Sequence, residues 1–318
     1  MGEGRAELEA PADHMAIKTS RWRRVDGVLL LDKPEGMTSN AALQQARRLF
    51  SAARAGHTGT LDPMATGLLP LCFGEATKFS SDLLEADKTY EAEIALGTTT
   101  TTGDREGTVT TTRPVRCTET DIAALLPEFT GDLLQIPPMY SALKQGGRPL
   151  YELARAGKTV ERQARPVTIH ALECLALNLP RLTLRVTCSK GTYIRVLAED
   201  LGEALGCGAH LAALRRTQVG SLNLQAAHPL TALEALPETE RPTCLAPVDS
   251  LMMSLPAITL DADAAQRFRH GNPVAASLAM VGKVRVYHPA PTPDNLLGLG
   301  VIETDGLLWP RRLIATSV

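Results

Sequence analysis

Gly56-His57-Thr58-Gly59-Thr60-Leu61-Asp62-Pro63-Met64-Ala65-Thr66-Gly67 joins three glycines to a histidine, three threonines and a single carboxylate. No aliphatic run marks it as a core strand. Glycines permit backbone conformations and close approaches that side chains forbid, and Pro63 biases Asp62 away from the helical region. The stretch reads as a tightly turned polar loop that presents Asp62. An ordinary Asx-Pro turn capping the next element fits the same residues, so the surroundings must decide.

Upstream, Val25 to Leu31 reads as a buried strand, ended by the turn Asp32-Lys33-Pro34-Glu35-Gly36. Thr38 or Ser39 is placed to cap a helix whose apolar positions Ala42, Leu43, Ala46, Leu49 and Phe50 have helical spacing. Downstream, Leu68 to Phe73 is a short buried segment, and Lys88 to Leu96 alternates like a half-exposed strand. Residues 97–107 form a threonine-rich loop, and Asp121 to Phe129 reads as a helix ending at Gly131. Pro137-Pro138 breaks the chain and opens a basic stretch to about residue 168, a candidate lid or clamp that contains a short helix over 151–157. Arg181 to Cys188 alternates as a strand, and Thr192 to Leu205 is helical with Gly206 to stop it. Residues 227–254 read as helix and linker. Beyond about Pro256, short strands punctuated by Gly and Pro, including Lys283 to Tyr287 and Leu297 to Ile302, predict a small β domain. Residues 1–24 read as a loose polar tail.

The 318 residues leave room for two domains and a large core. A hydrophobic content of 44% with 21% charged residues is that of an ordinary globular protein. The net charge of −2 gives no global sign of a nucleic-acid partner, but the charge is unevenly spread. Lys144, Arg148, Arg155, Lys158, Arg162 and Arg165 face only Glu152 and Glu161 across 141–168. Residues 264–293 carry Arg267, Arg269, Lys283 and Arg285 with no acid at all. Each patch has the character either of a solvated face or of a track for a phosphate backbone. The six cysteines form no CxxC pair, which leaves a zinc ribbon or disulfide framework without support. The first residues are charged, with neither a signal-peptide core nor a membrane-length apolar run, so a cytoplasmic protein is expected.

HExxH, Walker and nucleotide-type GxGxxG patterns are absent, as is a serine nucleophile elbow. Ser189-Lys190-Gly191-Thr192-Tyr193-Ile194-Arg195 passes from strand to helix through a glycine turn, where backbone donors and cations gather. If it faces the Asp62 loop, Arg195 favours the ionised carboxylate and Tyr193 is free to contact a planar ring. A core tyrosine and a surface arginine fit these residues equally well.

The Gly56–Gly67 stretch resembles the active-site motif of the bacterial tRNA pseudouridine-55 synthases, the TruB family. Further motifs follow in family order from about residue 26 to 220. Gly27 to Pro34 resembles the opening strand and Lys-Pro turn, and Asp87-Lys88-Thr89-Tyr90 the segment with the active-site tyrosine. Pro137 to Lys144 and Arg165 to Ile169 resemble the two ends of an RNA-gripping insertion. Cys188 to Arg195 and Gly206 to Arg216 complete the set. Two departures stand out: Thr101 where the family often has Asp, and the N-terminal tail, which matches nothing.

The resemblance implies an α+β catalytic domain over 25–255, built on a mixed, largely antiparallel sheet with flanking helices. A small PUA-like RNA-binding β-barrel over 256–318 follows, with weaker matches at Arg269 to Val274 and Trp309 to Leu313. It implies a monomer that isomerises uridine 55 in the T loop of tRNA, without cofactor or metal. Residue by residue, it implies that Asp62 is the catalytic aspartate, paired with Arg195, and that Tyr90 stacks on the target uracil. Tyr193 becomes the second active-site tyrosine, His57 the group that displaces the target nucleotide, and Leu214 a lining of the uridine pocket. Lys33 and Pro34 support the site. A single carboxylate suits the chemistry either as nucleophile or as base towards a ribose proton. An RNA-binding protein without catalysis and a nucleoside glycosidase are the competing classes; the latter usually needs a second placed carboxylate, and the sequence shows none near Asp62.

Overall fold

The computed structural model describes residues 22–276 and 280–315. Gly27–Lys33 pairs antiparallel with Thr66–Phe73 along its whole length. Its run of four apolar residues has a strand's two-residue period, so both faces are buried. Leu29 and Leu31 enter one core, while Val28 and Leu30 enter another on the opposite side of the sheet.

From this pair the main sheet extends in one direction through Ala209–Val219, Lys88–Leu96, Arg181–Cys188, Arg165–Asn178 and Gly131–Gln135. All of these neighbours are antiparallel except Thr66–Phe73 with Ala209–Val219, where Thr66 opposes Arg215 and Gly67 opposes Arg216. The helices Ser39–Leu49 and Ile194–Ala204 cover the face bearing Leu29 and Leu31. Thr38 is the N-cap of the first, accepting from Ala41 N; Ser39 is turned inward instead. The fold is α+β, with a mixed, largely antiparallel sheet.

Three local expectations change. The threonine-rich loop is a hairpin, Thr98–Thr100 pairing with Val109–Thr112, as suits β-branched residues. The helix expected over 121–129 is split into an α-helix, Glu119–Leu125, and a 3-10 turn, Leu126–Phe129, because Pro127 breaks the backbone ladder. Of the loose tail expected over 1–24, residues 1–21 lie outside the described residues. Arg23 is tied down, its N–H donating to Ser51 O at 2.7 Å.

Near the C-terminus, Ala257–Thr259, Gly282–Tyr287, Leu296–Ile302, Leu307–Leu313 and Val274–Ala275 form a second sheet in that order. The path has two ends, so the small barrel is an open half-barrel. Helix Ala262–Arg269, capped by Asp261, closes its core over Phe268, Val284, Val286 and Leu308. Its Tyr287, Leu296 and Leu299 pack instead against Val28, Leu30, Leu68 and Phe79 on the back of the main sheet.

Gly67 marks where the loop re-enters the sheet. Its φ is +98°, and a Cβ there would lie 2.3 Å from Arg216 O and 2.8 Å from Arg216 N. Backbone cannot move away as a side chain could. Gly67→Ala is expected to lower stability by about 2–4 kcal/mol through strain and overpacking, measured by urea denaturation; an unchanged midpoint would refute this account of the loop's re-entry.

Candidate active site

The polar loop departs from a short strand, Ala55–His57, paired with the far end of Thr66–Phe73. Asp62 O accepts from Ala65 N at 3.0 Å, with Pro63 in the second position of the turn, where its fixed φ fits. The turn at Asp62-Pro63 is closed by backbone, and the Asp62 carboxylate is turned towards Arg195. Three buried side chains hold the loop. Lys33, fully buried, donates from Nζ to Pro34 O at 2.8 Å, Pro63 O at 3.3 Å and Ala65 O at 2.7 Å. Arg216 joins the loop's two ends, donating to Gly59 O at 3.1 Å and Leu68 O at 2.8 Å. The Ser39 hydroxyl accepts from Leu61 N at 2.8 Å and donates to Leu61 O at 3.0 Å. Backbone groups that water would otherwise satisfy are met by fixed partners.

Arg195, in the first turn of Ile194–Ala204, is buried with its guanidinium against Asp62. Nε lies 3.0 Å from Asp62 Oδ2 and 3.6 Å from Asp104 Oδ2. It also donates to Thr102 O at 3.1 Å and Tyr140 O at 2.7 Å. Asp104 comes from the threonine hairpin, where Thr102 Oγ1 and Glu106 N fix its Oδ1 at 2.5 and 3.0 Å. The hairpin is docked on Ala209–Val219, Leu211 N donating to Gly103 O at 3.0 Å.

Two cavities flank Asp62. One, of about 420 Å³, is lined by Tyr90, Tyr193, Leu214, Arg216 and Lys88. The other, of about 490 Å³, is lined by His57, Thr38, Asn40, Asp104, Glu106 and Arg155. The structure thus brings Asp62, Arg195, Tyr90, Tyr193 and Leu214 together. His57 faces the second cavity, and Lys33 and Pro34 lie behind the loop.

Burial pushes the Asp62 carboxyl above its ordinary value; Arg195 pulls it back and Asp104 pushes it further up. Arg195 acts on this carboxyl in the expected sense, favouring its charged form, but desolvation works the other way and is the larger effect. Burial also raises both Tyr90 and Tyr193, which keeps the phenols protonated, and pulls the Lys33 ammonium down to about 8. His57 is lowered by burial and then by Arg216, and its Nδ1 is buried without a partner. Among the described residues, no group of three or more His, Cys, Asp or Glu is placed to hold a metal ion.

Asp104, Ser39 and Arg216 are the site residues that the sequence reading does not single out. Asp104 also corrects the expectation of no second carboxylate near Asp62, because the hairpin folds it onto the same guanidinium. Its signal was the Gly103-Asp104-Arg105-Glu106-Gly107 turn within the threonine run. Ser39, read only as a possible cap, carried none.

Three family models match successive parts of the chain. Residues 47–194 match the model of the TruB family pseudouridylate synthase N-terminal domain. Residues 195–253 match the tRNA pseudouridylate synthase B C-terminal domain, and 256–314 the C-terminal model of pseudouridine synthase II TruB. The tRNA pseudouridine synthase B of Dechloromonas aromatica (strain RCB) is 61% identical over 293 residues, covering 92% of this chain and 97% of that protein. The protein of the same name from Burkholderia mallei (strain NCTC 10247) is 58% identical over 302 residues, covering 93% and 99%. Among solved structures, a Cbf5-Nop10-Gar1 complex contains a chain of TM-score 0.67 and 26% identity, with 91% of this chain and 85% of that one covered. An H/ACA RNP bound to a substrate RNA containing 2′-deoxyuridine shares the fold, with TM-score 0.68 at 23% identity over 96% of this chain and 93% of that one. Fold and sequence together define a pseudouridine synthase. Within that class the chain belongs to the TruB family.

The carboxyl shift is open to direct measurement. The Asp62 resonance, followed by carboxylate NMR, is expected to titrate above the ordinary aspartate value of 3.8. Asp104→Asn removes a neighbouring negative charge and is expected to move that midpoint down; an upward or absent shift would refute the electrostatic picture.

Proposed function

We propose that this chain isomerises uridine to pseudouridine at position 55 in the T loop of tRNA, with Asp62 as the catalytic group. The observation that carries the reading is the Asp62–Arg195 pair, 3.0 Å apart, at the edge of a cavity with two tyrosines and a leucine. A partly apolar pocket bearing two tyrosines beside one aimed carboxylate suits a uracil whose C1′ must meet that carboxylate.

The reaction breaks N1–C1′ and makes C5–C1′; the C5 proton leaves and N1 takes up a proton, so the product is an isomer with no net redox change. The electrons of the broken bond go to the uracil. The Asp62 carboxylate either attacks C1′, to be displaced later by C5, or removes a ribose proton to give a glycal. Arg195 holds the carboxylate in place in both routes. Before either, the nucleotide must leave its stack, and stacking must replace what it loses. Tyr90 serves as the stacking platform, Leu214 closes the pocket, and Tyr193 assists proton transfer. His57, in the second cavity, occupies the place the nucleotide vacates. Lys33 and Pro34 support the site from behind, Lys33 through its three carbonyl contacts. Asp104 is committed to Arg195 and to its own hairpin, so it is not placed as a glycosidase's second acid.

In this reading 25–255 is the catalytic domain and 256–318 a PUA-like RNA-binding domain. The basic stretch 137–168 grips the phosphate backbone, while T-loop shape gives selectivity. The protein acts as a cytoplasmic monomer. No helix among the described residues is long and apolar enough to cross a membrane.

Asp62→Asn is expected to lower pseudouridine formation in transcribed tRNA by on the order of a thousandfold or more, as loss of a nucleophile does. Affinity for tRNA, which rests on phosphate contacts, should be nearly unchanged. Product formation by Asp62→Asn at the wild-type rate, or by wild-type protein on tRNA lacking uridine 55, would overturn the assignment.

A further inference from the structure

Ser141 lies just inside the basic stretch, in the segment Tyr140-Ser141-Ala142-Leu143. This segment is fastened on both sides. Tyr140 O accepts from the Arg195 guanidinium at 2.7 Å. Ser141 O accepts from Tyr151 N at 3.1 Å, and Leu143 O from Leu150 N at 2.7 Å. The backbone of Ser141 is thus held by the group that aligns Asp62 and by the start of the helix Leu150–Arg155.

Its side chain is not so provided for. Ser141 is only 5% exposed, and its Oγ is buried without a hydrogen-bond partner in the structure. The Tyr193 phenol lies near it, and the Ser141 hydroxyl pulls that phenol's pKa down as a donor would, but the pair does not reach hydrogen-bond geometry. Buried hydroxyls are nearly always satisfied, and an orphan calls for a reason.

Position supplies one. The two cavities share six lining residues: Thr60, Leu61, Asp62, Ser141, Ala142 and Arg195. They form the boundary between a cavity bearing Tyr90, Tyr193 and Leu214 and one lined by polar and charged groups, the cation Arg155 and the acids Asp104 and Glu106 among them. A nucleotide with its base in the first and its backbone leaving through the second must place its ribose on that boundary. Asp62, which has to meet C1′, is on the same boundary. Thr60, the other hydroxyl there, is exposed to water, whereas Ser141 is not.

We propose that the Ser141 hydroxyl is a substrate-contacting group that hydrogen-bonds a ribose hydroxyl of the target nucleotide. The proposal rests on the uridine-isomerising reading of this site. It goes further by naming the sugar as the moiety recognised at the boundary and Ser141 as its reader. The orphaned hydroxyl is then a place kept for the ligand, made rigid by the Arg195 and Tyr151 contacts on either side.

The test is a cycle between protein and RNA. Single-turnover rates and tRNA affinities are measured for wild type and Ser141→Ala, each with a T-arm RNA carrying ribose or 2′-deoxyribose at the target uridine, whose 2′-hydroxyl is its one free ribose hydroxyl within the chain. Ser141→Ala is expected to lose about five- to tenfold in rate or affinity on the ribose substrate, the size of one neutral hydrogen bond. It should lose much less on the 2′-deoxyribose substrate, which lacks the contacted hydroxyl. Its melting temperature should be unchanged or higher, since an unsatisfied polar group is removed; a structural serine would lower it. Equal losses on every sugar, or no loss on ribose, would overturn the proposal. So would a loss that vanishes in a Tyr193→Phe background, which would make Ser141 a partner of the phenol instead. If wild-type protein itself forms no pseudouridine, the isomerase reading fails, separately from the role of Ser141.

Discussion

One buried guanidinium organises this molecule. Arg195 meets Asp62 and Asp104 with one nitrogen, and the carbonyls of Thr102 and Tyr140 with the others. These four partners come from the polar loop, the threonine hairpin and the entry to the basic stretch, which are far apart in the chain. Burying a charge is costly unless it is paired and its donors are filled. Arginine's planar fork allows several acceptors to be met in fixed directions, which a lysine's point charge does not. The position of each segment is therefore set against the same rigid group.

A second set of contacts holds the loop from behind. Lys33, Arg216 and Ser39 are all buried, and between them they engage the backbone at Gly59, Leu61, Pro63, Ala65 and Leu68. A glycine-bearing loop would otherwise lose much conformational entropy on ordering. Here sheet strands on both flanks and buried donors beneath give it the fixity that its proposed role requires. The hydrophobic core contributes by keeping water from those donors. Leu61 and Met64 are themselves buried in it, so the loop is pinned by apolar side chains as well as by polar ones.

Much of this was legible from the residues. Val28 to Leu31 reads as a two-sided strand because its apolar run is unbroken, and Arg181–Cys188 because it alternates. Asp62 stands out because glycine, proline and polar residues surround it. What could not be read depends on distant partners. Asp104 is an ordinary turn aspartate until the hairpin docks beside Leu211. Ser39 looks like a helix cap until Leu61 arrives, and Arg216 is one of two adjacent arginines of which only one turns inward. The direction of the Asp62 shift is also a tertiary property, since it depends on how completely the cavity walls exclude water.

The contact between Arg195 and Tyr140 O has a thermodynamic corollary. The carboxylate and the entrance to the basic stretch hold opposite sides of one guanidinium, so their conformational equilibria are linked. Linkage is reciprocal. Whatever fixes the stretch more firmly must also narrow the orientations open to Asp62, and neutralising Asp62 must alter the free energy of that fixing by the same amount. Under the proposed function, grip and chemistry are then two readings of a single coupling constant, written into one side chain.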